Sequence, residues 1–69
     1  MKIYNAQRLS DYDIESIGIY DSSDKAMQDL LNTSSDYDLM FIDEQELNSM
    51  QEGKRVWDCD YIGVETFYA

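Results

Sequence analysis

Residues 17–27, IGIYDSSDKAM, decide the fold because a strand pattern gives way there to a helix pattern. The first four residues are β-branched or aromatic apart from Gly18, as is typical of a strand. The serines and aspartates at 21–24 then supply short side-chain oxygens that cap helical N–H groups. Asp24 also places a negative charge at the positive end of the helix. The junction therefore predicts a strand over residues 14–20 followed directly by a helix.

Side-chain periodicity on both sides of the junction supports this interpretation. Alternation along a strand is expected to place Ile17 and Ile19 on one face, and Gly18 between them indicates a bulge or a close backbone approach. Residues 2–9 alternate loosely and predict a first strand antiparallel to the second. In the helix, apolar residues recur at helical spacing, namely Ala26, Met27, Leu30 and Leu31.

The second half of the chain predicts further strands. The apolar run 39–42 is typical of a central strand, and we favour a short helix over residues 43–50. Residues 55–57 and 61–67 predict the last strands. The whole chain, residues 1–69, is therefore predicted to be a single α+β domain. Its small antiparallel sheet carries one main helix in β-β-α-β-β order, with a second short helix.

The charge of the chain is strongly acidic and unevenly distributed. Fifteen Asp and Glu against five Lys and Arg give a formal net charge of −10. Residues 21–52 alone hold nine acids against Lys25. Such a field repels nucleic acid and anionic membranes and attracts basic surfaces. Because 43% of the residues are hydrophobic and nine are aromatic, the acidity belongs to a folded chain and not to a disordered tail.

The residue types argue against catalysis. The chain has no histidine, its three glycines are isolated, and 69 residues leave little room for an enclosed substrate cleft. We therefore expect no enzymatic activity, no cofactor and no metal. Residues 11–15 space oxygens like the start of a calcium loop, but Ser16 and Ser22 stand where such a loop requires Gly and Glu, so a solvated turn is favoured.

The single cysteine and the termini suggest where the protein works. Cys59 cannot form an intrachain disulfide, and we expect it to be a small buried hydrophobe whose pKa is raised by flanking acids. The N-terminus is polar by its fifth residue, unlike a signal peptide, and no apolar run is long enough to span a membrane. A host bacterial cytoplasm is the expected location.

An Asp-x-Asp motif occurs three times, at residues 11–13, 36–38 and 58–60. In an extended chain the two carboxylates lie on one side, about 6–7 Å apart, a spacing comparable to that of successive phosphates. A polar strand end explains any one motif better, because Asp favours turns. When all three motifs are taken together with the acidic middle of the chain, a row of phosphate-like charges and a set of polar strand ends are equally favoured.

Two apolar groups have two interpretations each. Met27, Met40 and Met50 with Leu30 and Leu31 form either an adaptable binding surface or, by preference, the core. The aromatic C-terminus is either the seam of a homodimer or the core face of the sheet; its members are Trp57, Tyr61, Phe67 and Tyr68.

Residues 17–26, IGIYDSSDKA, followed by FIDE at 41–44 and Glu46-Leu47, resemble small bacteriophage-encoded ββαβ proteins in which an acidic strand follows a similar junction. This resemblance covers residues 14–47 and carries no assigned activity. In size and acidity the chain also resembles phage host-takeover proteins that mimic DNA. It is most similar there to phage-encoded inhibitors of the bacterial nucleoid protein HU, which implies a DNA-binding protein of the host as partner.

The sequence therefore predicts a non-catalytic DNA mimic that covers the basic DNA-binding surface of a host protein without binding nucleic acid or membrane itself. The alternative is a phage inhibitor of a host enzyme, such as a defence nuclease or RNA polymerase, that acts through an apolar surface while charge serves solubility. In the first case we expect central contacts from Asp36, Asp38, Asp43, Glu44 and Glu46, flanked by Asp21, Asp24 and Asp29.

Overall fold

A computed structural model describes residues 1–10, 13–33, 39–48 and 53–68 of the chain. In chain order the elements are β1 (Lys2–Ser10), β2 (Asp13–Tyr20), α1 (Ser23–Thr33), β3 (Leu39–Glu46), β4 (Lys54–Cys59) and β5 (Glu65–Phe67). The five strands form one antiparallel sheet in the order β2-β1-β3-β4-β5. The predicted α+β class with one main helix is confirmed.

The core lies between α1 and one face of the sheet, which we call the helix side. Ala26 and Leu30 of the helix are fully buried, one helical turn apart. They pack in one cluster with buried residues of β1, β3 and β4, namely Ala6, Met40, Ile42, Trp57 and Cys59. Leu31 was expected on the same face of the helix but is 53% exposed, because the apolar stripe of α1 is narrow.

β1 and β2 are joined through a bulge that changes which side chains reach the core. Ala6 pairs with Gly18 and Gln7 with Ser16, so Ile17 is the extra residue. Ile17 therefore packs against the core while Ile19 is 61% exposed. The expectation that the two isoleucines share a face is wrong, whereas the bulge expected at Gly18 is confirmed.

The favoured helix over residues 43–50 is wrong in its first part. β3 continues as a strand to Glu46 and pairs with β1 along its whole length, from Leu39 opposite Leu9 to Glu46 opposite Lys2. Ladder hydrogen bonds and burial of the preceding apolar residues outweigh the helix propensity of the acidic segment. Asn48, at φ 64°, lies in a turn after the strand, and residues 49–52 lie outside the described part.

The two strands at the end of the chain differ from the expected bounds: β4 is longer than the predicted 55–57, and β5 is shorter than the predicted 61–67. Residues 60–64 form a turn, in which the Asp60 carboxylate accepts hydrogen bonds from the N–H groups of Ile62 (3.0 Å) and Val64 (2.9 Å). Gly63 takes a positive φ of 91° in this turn. β5 follows on the exposed edge of the sheet and pairs with β4 from Trp57 to Cys59. No helix in the described residues has the length and apolarity needed to cross a membrane.

Candidate protein-binding surface

The eight acids expected to contact a partner do not form one continuous group. Asp36 and Asp38 lie outside the described residues. Asp21 precedes α1, Asp24 and Asp29 belong to it, and Asp43, Glu44 and Glu46 belong to β3.

Asp43 lies on the other face of the sheet from the other described acids, because side chains along β3 point alternately to the two faces. Ile42 and Met40 point to the core, so Glu44 and Glu46 share the helix side and Asp43 lies on the opposite face. There its carboxylate accepts a hydrogen bond from Gln7 (3.0 Å) and lies 3.6 Å from Arg55. The helix favoured over residues 43–50 would place Asp43 and Glu46, three residues apart, on one face, whereas in the strand they lie on opposite faces.

The other five described acids lie on the helix side of the sheet, and we call them the helix-side acidic surface: Asp21, Asp24, Asp29, Glu44 and Glu46. Three of them are paired within the chain. Asp21 meets Lys25 at 3.0 Å, Glu44 meets Lys2 at 3.1 Å, and Glu46 meets the N-terminal amine at 2.8 Å. Such exposed pairs stabilise little and exchange readily with a competing cation.

Ion pairs lower the pKa of two carboxylates of this surface. The hydrogen bond from Lys25 lowers the pKa of Asp21, and the N-terminal amine lowers the pKa of Glu46. The hydrogen bond to Glu44 raises the pKa of Lys2. Asp29 accepts a hydrogen bond from the Tyr20 hydroxyl at 2.6 Å, which raises the pKa of Tyr20.

An open cleft of about 310 Å³ lies within this surface, between the first turn of α1 and the strands β1, β3, β4 and β5. Asp24 and Glu44 contribute a carboxylate from either side of it. The remaining lining is largely aromatic or apolar: Tyr4, Trp57, Phe67 and Tyr68, with Met27 and Val56. A pocket lined by aromatic groups with a few polar ones is typical of a ligand site.

The opposite face of the sheet carries exposed apolar side chains. Leu9 pairs with Ile14 on one side and with Leu39 on the other, so these side chains form a row across three strands. Ile14 and Ile19 are largely exposed. We call this the helix-free face; Phe41 and Asp43 also belong to it.

The described residues contain no cluster of three or more acids or cysteines placed to hold a metal ion. Residues 11 and 12, which begin the calcium-like spacing, lie outside them. Cys59 is buried, and burial first, then Glu65, Asp60 and Asp58, raises the pKa of its thiol as expected. Of the aromatic C-terminus, Trp57 is core, whereas Tyr61, Phe67 and Tyr68 are exposed.

Sequence reasoning did not find the cleft. Tyr4, Glu44 and Phe67 come from three separate strands, so no local spacing joins them. Composition gave no signal either, since residues 1–10 contain no acid and residues 61–69 contain one. Comparison with known proteins finds no family model, no curated protein and no solved structure that matches this chain.

Proposed function

We propose that this protein is a non-catalytic DNA mimic that binds the basic DNA-binding surface of a host protein and blocks DNA binding. The observation that carries the proposal is the helix-side acidic surface, where five carboxylates from α1, β3 and the residues just before α1 share one side of the sheet in a chain with net charge −10. Lys and Arg side chains that otherwise neutralise phosphates would be neutralised there by carboxylates.

The internal ion pairs are compatible with this role. Asp24 and Asp29 have no cationic partner among the described residues, so they are available without rearrangement. The other three carboxylates would exchange an exposed partner of their own chain for one on the bound protein. Because screened charge is replaced by direct pairs, binding is expected to weaken steeply as salt is raised.

Competition with DNA tests the proposal. A bacterial nucleoid protein of HU type is the first partner to try, because overall size and acidity resemble inhibitors of that protein. We expect added chain to release fluorescently labelled DNA from it at low salt and progressively less at higher salt. If neither HU nor any DNA-binding protein retained from a bacterial lysate loses its DNA, the proposal is wrong.

Two matched double variants assign the binding face. Asp21→Asn with Asp29→Asn removes two charges from the helix-side acidic surface, and Asp43→Asn with Asp60→Asn removes two from β3 and from the turn after β4, outside that surface and the cleft. All four carboxylates have a partner within the chain. The first pair is expected to weaken binding about tenfold and flatten its salt dependence, and the second pair to change both far less.

The alternative is an inhibitor of a host enzyme that binds through an apolar surface, and the helix-free face favours it. Leu9, Ile14 and Ile19 are exposed there without a covering element in the described part of the chain. Ile14→Ser with Ile19→Ser would then abolish binding, whereas the DNA mimic tolerates both changes. The same variant in the lysate experiment therefore separates the two functions.

A further inference from the structure

The cleft at the start of α1 combines three features that do not occur together elsewhere in the described chain. Carboxylates lie on two of its sides, Asp24 on the helix and Glu44 on β3. Four of its lining residues are aromatic, and two of them, Phe67 and Tyr68, are exposed. Its volume of about 310 Å³ lies near the lower limit of small-molecule sites, about 300–1,000 Å³, and suits a single side chain.

Trp57, which lines the cleft, has a polar group without a hydrogen-bond partner in the described residues. Trp57 is 1% exposed, and its indole N–H meets no acceptor among the described residues. Buried indole N–H groups are normally paired.

The chemistry of the lining selects a cation that also stacks on rings. Aromatic faces attract cations, and carboxylates form charge-assisted hydrogen bonds with them. A guanidinium group does both, because it is planar and forked, whereas an ammonium group is a compact and strongly hydrated charge. The chain itself uses this combination on the helix-free face. There the Arg55 guanidinium lies 4.2 Å from the centre of the Phe41 ring, and its Nε lies 3.6 Å from Asp43.

We propose that the cleft is an anchor site for one arginine side chain of the bound protein, held between Asp24 and Glu44 and stacked on the aromatic lining. This inference deepens and rests on the proposed binding of a basic protein surface. Glu44 is the more enclosed of the two carboxylates, with 25% of its side chain exposed, and Lys2 occupies it at 3.1 Å in the free chain. The arriving guanidinium therefore competes with Lys2.

Because Trp57 is the single tryptophan and lines the cleft, its fluorescence reports occupancy directly. The probe is N-acetyl-arginine amide, compared with N-acetyl-lysine amide and the uncharged N-acetyl-norleucine amide. We expect a saturable change with the arginine probe, weaker binding of the lysine probe and no response to the norleucine probe. Equal binding of the lysine and arginine probes overturns the proposal, as does the lack of any saturable response.

Some variants are expected to weaken binding of the arginine probe and others to strengthen it. This difference separates recognition of the guanidinium group from a loss of structure, which would only weaken binding. Asp24→Asn with Glu44→Gln is expected to weaken binding of the arginine probe about tenfold, while Asp13→Asn with Glu65→Gln, outside the cleft, leaves it nearly unchanged. Lys2→Gln is expected to strengthen binding, because it removes the competing cation from Glu44. Its control is Lys25→Gln, which makes the same change in net charge at Asp21. Equal effects within either matched set contradict the anchor site.

The two proposals fail in different ways. If the chain displaces DNA but binds no arginine probe, the anchor site is wrong and the DNA mimic stands. If the arginine probe binds and no DNA-binding protein is displaced, the anchor site stands and the DNA mimic is wrong.

Discussion

At the scale of single residues, Gly18 shows how one missing side chain directs several others. A β-carbon placed at Gly18 would lie 2.8 Å from the hydroxyl oxygen and 3.1 Å from the ring carbon Cζ of Tyr20. Because that carbon is absent, the Tyr20 ring can lie across the bulge, and its hydroxyl donates a hydrogen bond to Asp29. A glycine in the middle of a strand is thus explained by close approach and not by an unusual φ angle.

We therefore expect Gly18→Ala to destabilise the protein by about 1–3 kcal/mol, the usual cost of overpacking. In a Tyr20→Phe background the nearest atom is gone, so the same substitution is expected to cost less. Urea unfolding of the four proteins in this cycle measures the difference. A Gly18→Ala protein as stable as the parent would show that the Tyr20 ring moves aside freely.

At the scale of elements, the sequence predicted those whose signals are local. Ser22 caps α1 by accepting a hydrogen bond from the Lys25 N–H at 3.2 Å, as the run of serines and aspartates indicated. The polar run from Asn32 also predicts that α1 ends near Thr33, as it does, but the contact that satisfies this end could not be predicted from the residues of the helix. The Thr33 carbonyl is bonded at 3.0 Å by Arg8 of β1, which brings a cation to the negative end of the helix.

The helix expected over residues 43–50 is wrong in its first part for the same reason, because another element determines the structure of the segment. The acids at 43–46 do not favour a strand by composition; pairing with β1, and of Asp43 and Glu44 also with β4, holds them in one. The acidity of the candidate site could therefore be predicted, but the arrangement of its residues could not. The acidic middle of the chain was visible as a count, but the separation of Asp43 from Glu44 depends on knowing that the segment is a strand. The cleft required the full sheet order, which brings Tyr4 of β1 near Phe67 of β5 through two intervening strands.

The cap on α1 gives a prediction at this scale with a built-in control. Ser22→Ala removes the oxygen that accepts from Lys25 and is expected to destabilise the protein by about 1 kcal/mol. Ser23→Ala, one residue on and already inside the helix, is expected to be close to neutral. Thermal unfolding followed by circular dichroism compares the two. Equal losses would mean that the cap is not the hydrogen bond assigned here.

At the scale of the whole molecule, protonation couples to stability in opposite directions at the two ends of the pH range. Asp21 and Glu46 have lowered pKa values, so their contribution is present above their ordinary pKa values and is lost as pH falls through the lowered ones. Groups with raised pKa values act in the alkaline range. Burial raises the pKa of Cys59 and of Tyr4, and hydrogen bonds to Asp29 and Asp58 raise those of Tyr20 and Tyr68.

These raised values predict that the protein loses stability in mild alkali. In the unfolded chain the thiol ionises near pH 9.0 and the phenols near pH 10.0, whereas in the folded chain they hold their protons to higher pH. Their contribution is therefore complete below about pH 9 and is lost as pH rises through the raised pKa values. The hydrogen bond to Glu44 raises the pKa of Lys2, and its loss at high pH acts in the same direction. We expect the urea midpoint to fall between pH 7.5 and pH 10.5.

The double variant Tyr20→Phe with Tyr68→Phe tests the origin of this fall. It has a lower midpoint at pH 7.5, because two hydroxyl hydrogen bonds are gone, but its midpoint should fall less between the two pH values. The control is Tyr61→Phe, which removes an exposed hydroxyl with no hydrogen-bond partner in the described residues, and it should fall as far as the parent. If the double variant and the control lose the same stability in alkali, the two tyrosine–aspartate bonds do not set the pH dependence. Repulsion within a chain of net charge −10 would then be the larger cause.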